Sequence, residues 1–96
     1  MPRVALTEKA ESDLDAIHEH YRGLIGANAA SHVVASILDT FDQLERFPGS
    51  GRASQVPDVR ELVLNRIPFV VPYRVTQGQV QVLRILHQRS EHTQAW

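Results

Sequence analysis

Arg84, His87, Arg89 and His92 crowd into one short stretch near the C-terminal end. An imidazole titrates near neutrality and can carry a proton, and guanidinium groups stabilise the charge of a pentacovalent phosphate. Arg84, His87 and Arg89 would thus suffice for metal-free cleavage of RNA by its own 2′-hydroxyl. The same residues admit a second reading, in which Arg84 and Arg89 pair with acids such as Glu61 or Glu91 and His87 closes the end of a strand. Upstream, Arg60, Arg66 and Arg74 continue the pattern, threaded through the apolar, β-branched runs of Arg60 to Trp96. A sheet needs no arginine to build its core. A guanidinium is costly to bury and well suited to a two-pronged grip on phosphate or carboxylate. The block therefore reads as a sheet with a core on one side and a cationic face for an anionic partner. Arg60, Arg74, Arg84, His87 and Arg89 are the candidate contacts.

Other chemistries find less support. The chain has no cysteine, which excludes disulfides, thiolate catalysis and zinc–thiolate sites. His18 and His20 are two apart on a helical pattern and point to different sides, whereas a metal pair wants a spacing of four. They read as solvated surface groups, as does His32. Gly49-Ser50-Gly51-Arg52 has neither the preceding strand nor the lysine of a phosphate-cradling loop. Neither a cofactor nor a metal is expected.

Ninety-six residues, 43% apolar and 22% charged, fit one soluble domain spanning residues 1–96. No run approaches the ~18 apolar residues of a membrane span and no signal peptide opens the chain, so a cytoplasmic protein is expected. The net charge of −1 conceals a split. Residues 1–47 carry four cations against eight acids, net −4, and residues 48–96 carry six arginines against three acids, net +3. An anionic partner for the second half accounts for this, and so does mutual complementation of the two halves.

The elements that must position these groups are legible from periodicity. Arg3 to Leu6 is a short extended start, and Thr7 can cap a helix whose first turn holds Glu8 and Glu11. Its stripe is Ala10, Leu14, Ile17, Tyr21 and Leu24, and Gly23 and Gly26 mark its end. Asn28 can cap a second helix with the stripe Ala30, Val33, Val34, Ile37, Leu38, Phe41 and Leu44, which stops near Phe47. Pro48 to Asp58 reads as loop. Strands follow at about Val59–Leu64, Phe69–Thr76 and Gln79–His87, the last two joined through Gln77-Gly78 as a tight hairpin. Alternation makes the last strand central. Pro72 cannot donate to a ladder, so its stretch should be an edge or a bulge. Trp96 either docks on the core or offers an aromatic surface. The order β-α-α-β-β-β implies an α+β domain, a helical hairpin packed on a mostly antiparallel four-stranded sheet.

These segments resemble the ParE/RelE superfamily of bacterial toxins from type II toxin–antitoxin pairs. Leu6-Thr7-Glu8-Lys9-Ala10 with Asp13, Leu14, Ile17 and Tyr21 is similar to its first strand and helix. Phe47-Pro48-Gly49-x-Gly51-Arg52 is similar to the loop after its second helix. Arg60-Glu61-Leu62-Val63, Pro68 to Val75 and Val82-Leu83-Arg84-Ile85-Leu86-His87 are similar to its C-terminal strands. The resemblance implies a growth inhibitor, of the kind involved in plasmid stabilisation, neutralised by a cognate antitoxin with an acidic, partly disordered segment. RelE-like members cut messenger RNA on the ribosome with lysines and arginines. ParE-like members lack that set and act on DNA gyrase. Glu61, Val63 and Val70 stand here where the RelE pattern has lysines and an arginine, which places the chain nearer ParE and gyrase. The alternatives are a RelE-like endoribonuclease using Arg84, His87 and Arg89, and a non-toxic antitoxin-binding module. The tryptophan that often follows the histidine–arginine pair in the family stands later here, at Trp96.

Overall fold

The computed structural model describes residues 3–88. Strand β1 (Arg3–Leu6) leads into helix α1 (Glu8–Ile25) and helix α2 (Ala27–Arg46). Strands β2 (Arg52–Ala53), β3 (Arg60–Val63), β4 (Phe69–Thr76), β5 (Gln79–Val82) and β6 (Leu86–His87) follow. The sheet order is β1-β5-β4-β3-β2, with β6 also paired to β4. Only β1 against β5 is parallel, in the register Arg3↔Gln79 to Leu6↔Val82. This is the expected α+β fold, with one short edge strand, β2, beyond the four expected and the last expected strand divided into β5 and β6. No helix is long and apolar enough to cross a membrane among the described residues.

Local chemistry explains the helix ends. The Thr7 hydroxyl accepts from the Ala10 amide, and Glu8 and Glu11 occupy the first turn. Helix α1 runs past Gly23 to Ile25, and Gly26 alone joins it to α2. Its φ of 94° is open to glycine at no steric cost. Gly26, not Asn28, is the N-cap of α2, without a side-chain cap. Leu24 leaves the expected stripe: it is 66% exposed, beside the similarly uncovered Ile25 at the hairpin tip.

The core lies between the helices and one sheet face. Ile37, Phe41 and Leu44 of α2 join Val71, Tyr73 and Val80 in a single buried cluster. Each such side chain contributes on the order of 1.5–3 kcal/mol by leaving water. Helix α1 is anchored differently. Only Ala10 is fully buried, and Leu14, Ile17 and Tyr21 are partly covered.

The sequence places Pro72 at an edge or a bulge. Strand β4 is central, with β3 on one side and β5 and β6 on the other, and Pro72 is fully buried within it. It is not at an edge, but the ladder does bulge on its β5 and β6 side, where three partner residues, 83 to 85, face the two at 71 and 72. The Leu83 amide donates to the Pro72 carbonyl at 2.9 Å, but Pro72 has no N–H to return. The partner strand leaves the ladder at Leu83 and rejoins it at Leu86, so the continuous strand expected over Gln79–His87 is two short ones. The hairpin between β4 and β5 turns through Gln77 (φ 50°) and Gly78 (φ 73°), the sign pattern of a type I′ turn.

The loop after α2 is pinned to the sheet by Tyr73. Its hydroxyl donates to the Pro48 carbonyl at 2.7 Å and accepts from the Gly51 amide at 2.8 Å. A Cβ at position 51 would sit 2.7 Å from the Tyr73 ring and 2.9 Å from the Glu61 carbonyl oxygen, and both neighbours are fixed. A Cβ at Gly49 meets nothing within 4 Å. Gly51→Ala is therefore expected to cost about 1–3 kcal/mol in urea unfolding, and Gly49→Ala to stay within about 0.5 kcal/mol of the parent.

Candidate functional site

The arginines divide into two groups. His87 pairs with Phe69 at one end of β4, and Arg60 pairs with Tyr73, next to Arg74, towards the other. Five residues along a strand separate the groups by roughly 17 Å. Arg89 and Trp96, with His92, lie outside the described residues.

Arg84 is engaged internally. Its Nε donates to Asp13 Oδ2 at 2.7 Å and its Nη2 to Oδ1 at 3.0 Å, a two-pronged pair with side chains 26% and 17% exposed. The Asp13 hydrogen bond holds the guanidinium pKa above its ordinary value, against a smaller opposing effect of burial. Raised above the unfolded value, it stabilises the fold at neutral pH, and that contribution is lost as pH rises through the arginine range. Asp13 Oδ2 also accepts from the Ile85 amide at 2.9 Å. Thr7 Oγ1 donates to the Leu83 carbonyl at 2.8 Å, the acceptor that Pro72 cannot serve. Helix α1 thus supplies both groups that satisfy the interrupted strand. Asp13 was not a sequence candidate, and its signal was weak: an acid next to the apolar stripe.

His87 is half-buried and stacks edge-on against Phe69, with ring centroids 5.5 Å apart. Phe69 in turn meets Tyr21 at 6.4 Å. Asp13, Ile17, His20, Tyr21, Ile85 and His87 border a shallow groove of about 320 Å³ along α1. Arg84 is turned onto Asp13 and does not line it, so no arginine among the described residues faces His87 across this groove.

At the other end of β4, a larger cleft of about 650 Å³ separates β4 from the loop 53–59. Arg60 and Arg74 line it, as does Asp58, held at φ 65°. Arg60 Nη1 donates to the Gly51 carbonyl at 2.8 Å. Arg74 is half-buried and its Nε is enclosed without an acceptor. On the sheet face away from the helices, register groups Glu61, Val63, Val70, Pro72 and Arg74. Glu61, with its side chain 13% exposed, pairs with Arg52 at 3.2 Å.

Comparison with known proteins gives a consistent result. The family model described as ParE toxin of type II toxin–antitoxin system, parDE, matches residues 4–92. Y4kP of Sinorhizobium fredii is 39% identical over 67 residues, covering 70% of this chain and 69% of that protein. Toxin RelE2 of Caulobacter vibrioides is 34% identical over 87 residues, covering 91% and 96%. A solved structure titled chromosomal ParDE TA system from P. aeruginosa superimposes with a TM-score of 0.85 at 43% identity, covering 91% of this chain and 96% of that one.

The double role of Asp13 sets an order of effects. Arg84→Ala is expected to cost about 1–2 kcal/mol in chemical denaturation, because the pair is only partly shielded. Asp13→Ala should cost about 1 kcal/mol more, since it also leaves the Ile85 amide unpaired.

Proposed function

The chain belongs to the ParE family of toxins from type II toxin–antitoxin systems, and from that membership we propose that it poisons DNA gyrase in the cytoplasm. A toxin of such a pair has a cognate antitoxin as its partner. We read that antitoxin as carrying an acidic, partly disordered segment that folds onto the toxin's arginines.

One observation carries the gyrase reading. A nuclease of the RelE kind needs cations clustered around the scissile phosphate, and the candidate cations of this chain are dispersed or engaged. Glu61, Val63 and Val70 occupy the sheet face away from the helices, and Arg84 is tied to Asp13. Stabilising a pentacovalent phosphate with Arg84 would require breaking that pair. A pair holding α1 to the sheet is poorly placed to be spent on catalysis.

The similarity to toxin RelE2 over nearly the whole chain favours a second reading. In it, His87 transfers a proton and Arg84 and Arg89 hold the phosphate in ribosome-bound message.

Both readings meet in one comparison. Purified toxin added to gyrase and relaxed plasmid should block supercoiling and trap a cleaved complex, and should leave message on translating ribosomes intact. Normal supercoiling together with cuts in the message, abolished by His87→Ala, would reverse the assignment.

A further inference from the structure

Strand β4 outruns its neighbour. Two hydrogen bonds fix which way its main chain faces: Leu64 N donates to Phe69 O at 3.0 Å on the β3 side, and Leu83 N to Pro72 O at 2.9 Å on the other. By alternation, Phe69, Val71, Tyr73 and Val75 turn their amides and carbonyls towards β3, and Arg74 and Thr76 turn theirs towards β5. Strand β3 begins at Arg60, opposite Tyr73. Before it, the chain closes on itself: Ser54 N donates to Val59 O and Val59 N to Val56 O. The N–H and C=O of Val75 are therefore left facing the 650 Å³ cleft beside the loop 53–59.

The side chains around that opening suit a particular occupant. Val75 is 44% exposed and apolar. Arg74 lines the cleft with its Nε enclosed and unpaired. Arg84 shows how such a guanidinium is satisfied in this protein, by one carboxylate across Nε and a terminal nitrogen. Among the described residues no carboxylate lies within 4 Å of Arg74 or Arg60 to do the same. Asp58 on the rim leaves one surplus positive charge, which matches a single carboxylate and is too little to neutralise a run of phosphates. A free main-chain donor and acceptor suit a peptide, which can pair with both.

We propose that this cleft receives an extended acidic segment of the antitoxin, paired through its main chain to Val75 and through one carboxylate, side-on, to Arg74. Arg60, opposite Tyr73 and bonded to the Gly51 carbonyl, adds its charge to the rim from the other face of the sheet. The proposal rests on the acidic-segment reading of the antitoxin and is independent of the toxin's target. It adds a definite address: partner recognition includes the unpaired end of β4.

The test uses the complex with the protein encoded by the adjacent reading frame. Hydrogen exchange at the Val75 amide, followed by NMR, should slow by about tenfold or more when free toxin is converted to complex. Arg74→Lys keeps the charge and loses the side-on pair, so it should raise Kd by about tenfold while leaving the urea midpoint of free toxin unchanged. Undiminished exchange at Val75 overturns the proposal, as does a Kd within about twofold of the parent. An equal fall in the stability of free toxin would make Arg74 a structural residue and also overturn it. Weakened contact with gyrase or ribosome at unchanged antitoxin affinity would assign the cleft to the target instead. If the affinity of the complex ignores added salt, the acidic-segment reading itself fails. If salt matters but Val75 and Arg74 do not respond, only the address is wrong.

Discussion

Everything in this fold leans on one missing hydrogen. Pro72 sits in the middle of the central strand and has no N–H, so the partner strand can make only half of the pairing it should make there. The deficit is met from outside the sheet. Thr7 donates to the Leu83 carbonyl while capping α1, and Asp13 takes the Ile85 amide and the Arg84 guanidinium together. Helix α1 has a single fully buried residue, with Leu14, Ile17 and Tyr21 partly covered. The polar links at Thr7 and Asp13 add to that packing in tying it to the sheet. A local backbone defect and a weakly buried helix each supply what the other lacks.

That arrangement accounts for the division among the arginines. Arg84 belongs to the interrupted strand and is consumed by its repair. Arg52 and Arg60 are engaged with Glu61 and the Gly51 carbonyl, holding the loop after α2. Arg74 is left with an unpaired nitrogen beside an open strand end. Similar residues, spaced alike in the sequence, thus differ in whether the fold has already claimed them.

Much of this was legible beforehand. Thr7 as a cap, the apolar stripe of α2 apart from Leu38, which is 44% exposed, the Gln77-Gly78 turn and the order of elements follow from short-range chemistry, which sequence carries well. Pro72 announced the disturbance correctly: it lies at no edge, but three residues of its neighbour, 83 to 85, stand opposite the two at 71 and 72, which is a bulge. The failures have a common cause. Whether Arg84 is free depends on Asp13, 71 positions away. The exposure of Leu24 depends on what covers the hairpin tip, and the helix keeps its periodicity regardless. The open amide of Val75 depends on a strand that starts late. Each is settled by which segments meet, and periodicity within one segment does not contain that information.

The pairing of β1 with β5 bears on how the protein comes into being. Arg3 to Leu6 find their partners only at Gln79 to Val82, and Thr7 finds its acceptor at Leu83. A growing chain that has reached the second helix holds a helical hairpin and no sheet for it to cover. Loop closure over so long a span is entropically costly and comes late. A polypeptide still short of Ile85 is without the frame that ties α1 to the sheet, so the fold closes only when synthesis is nearly done.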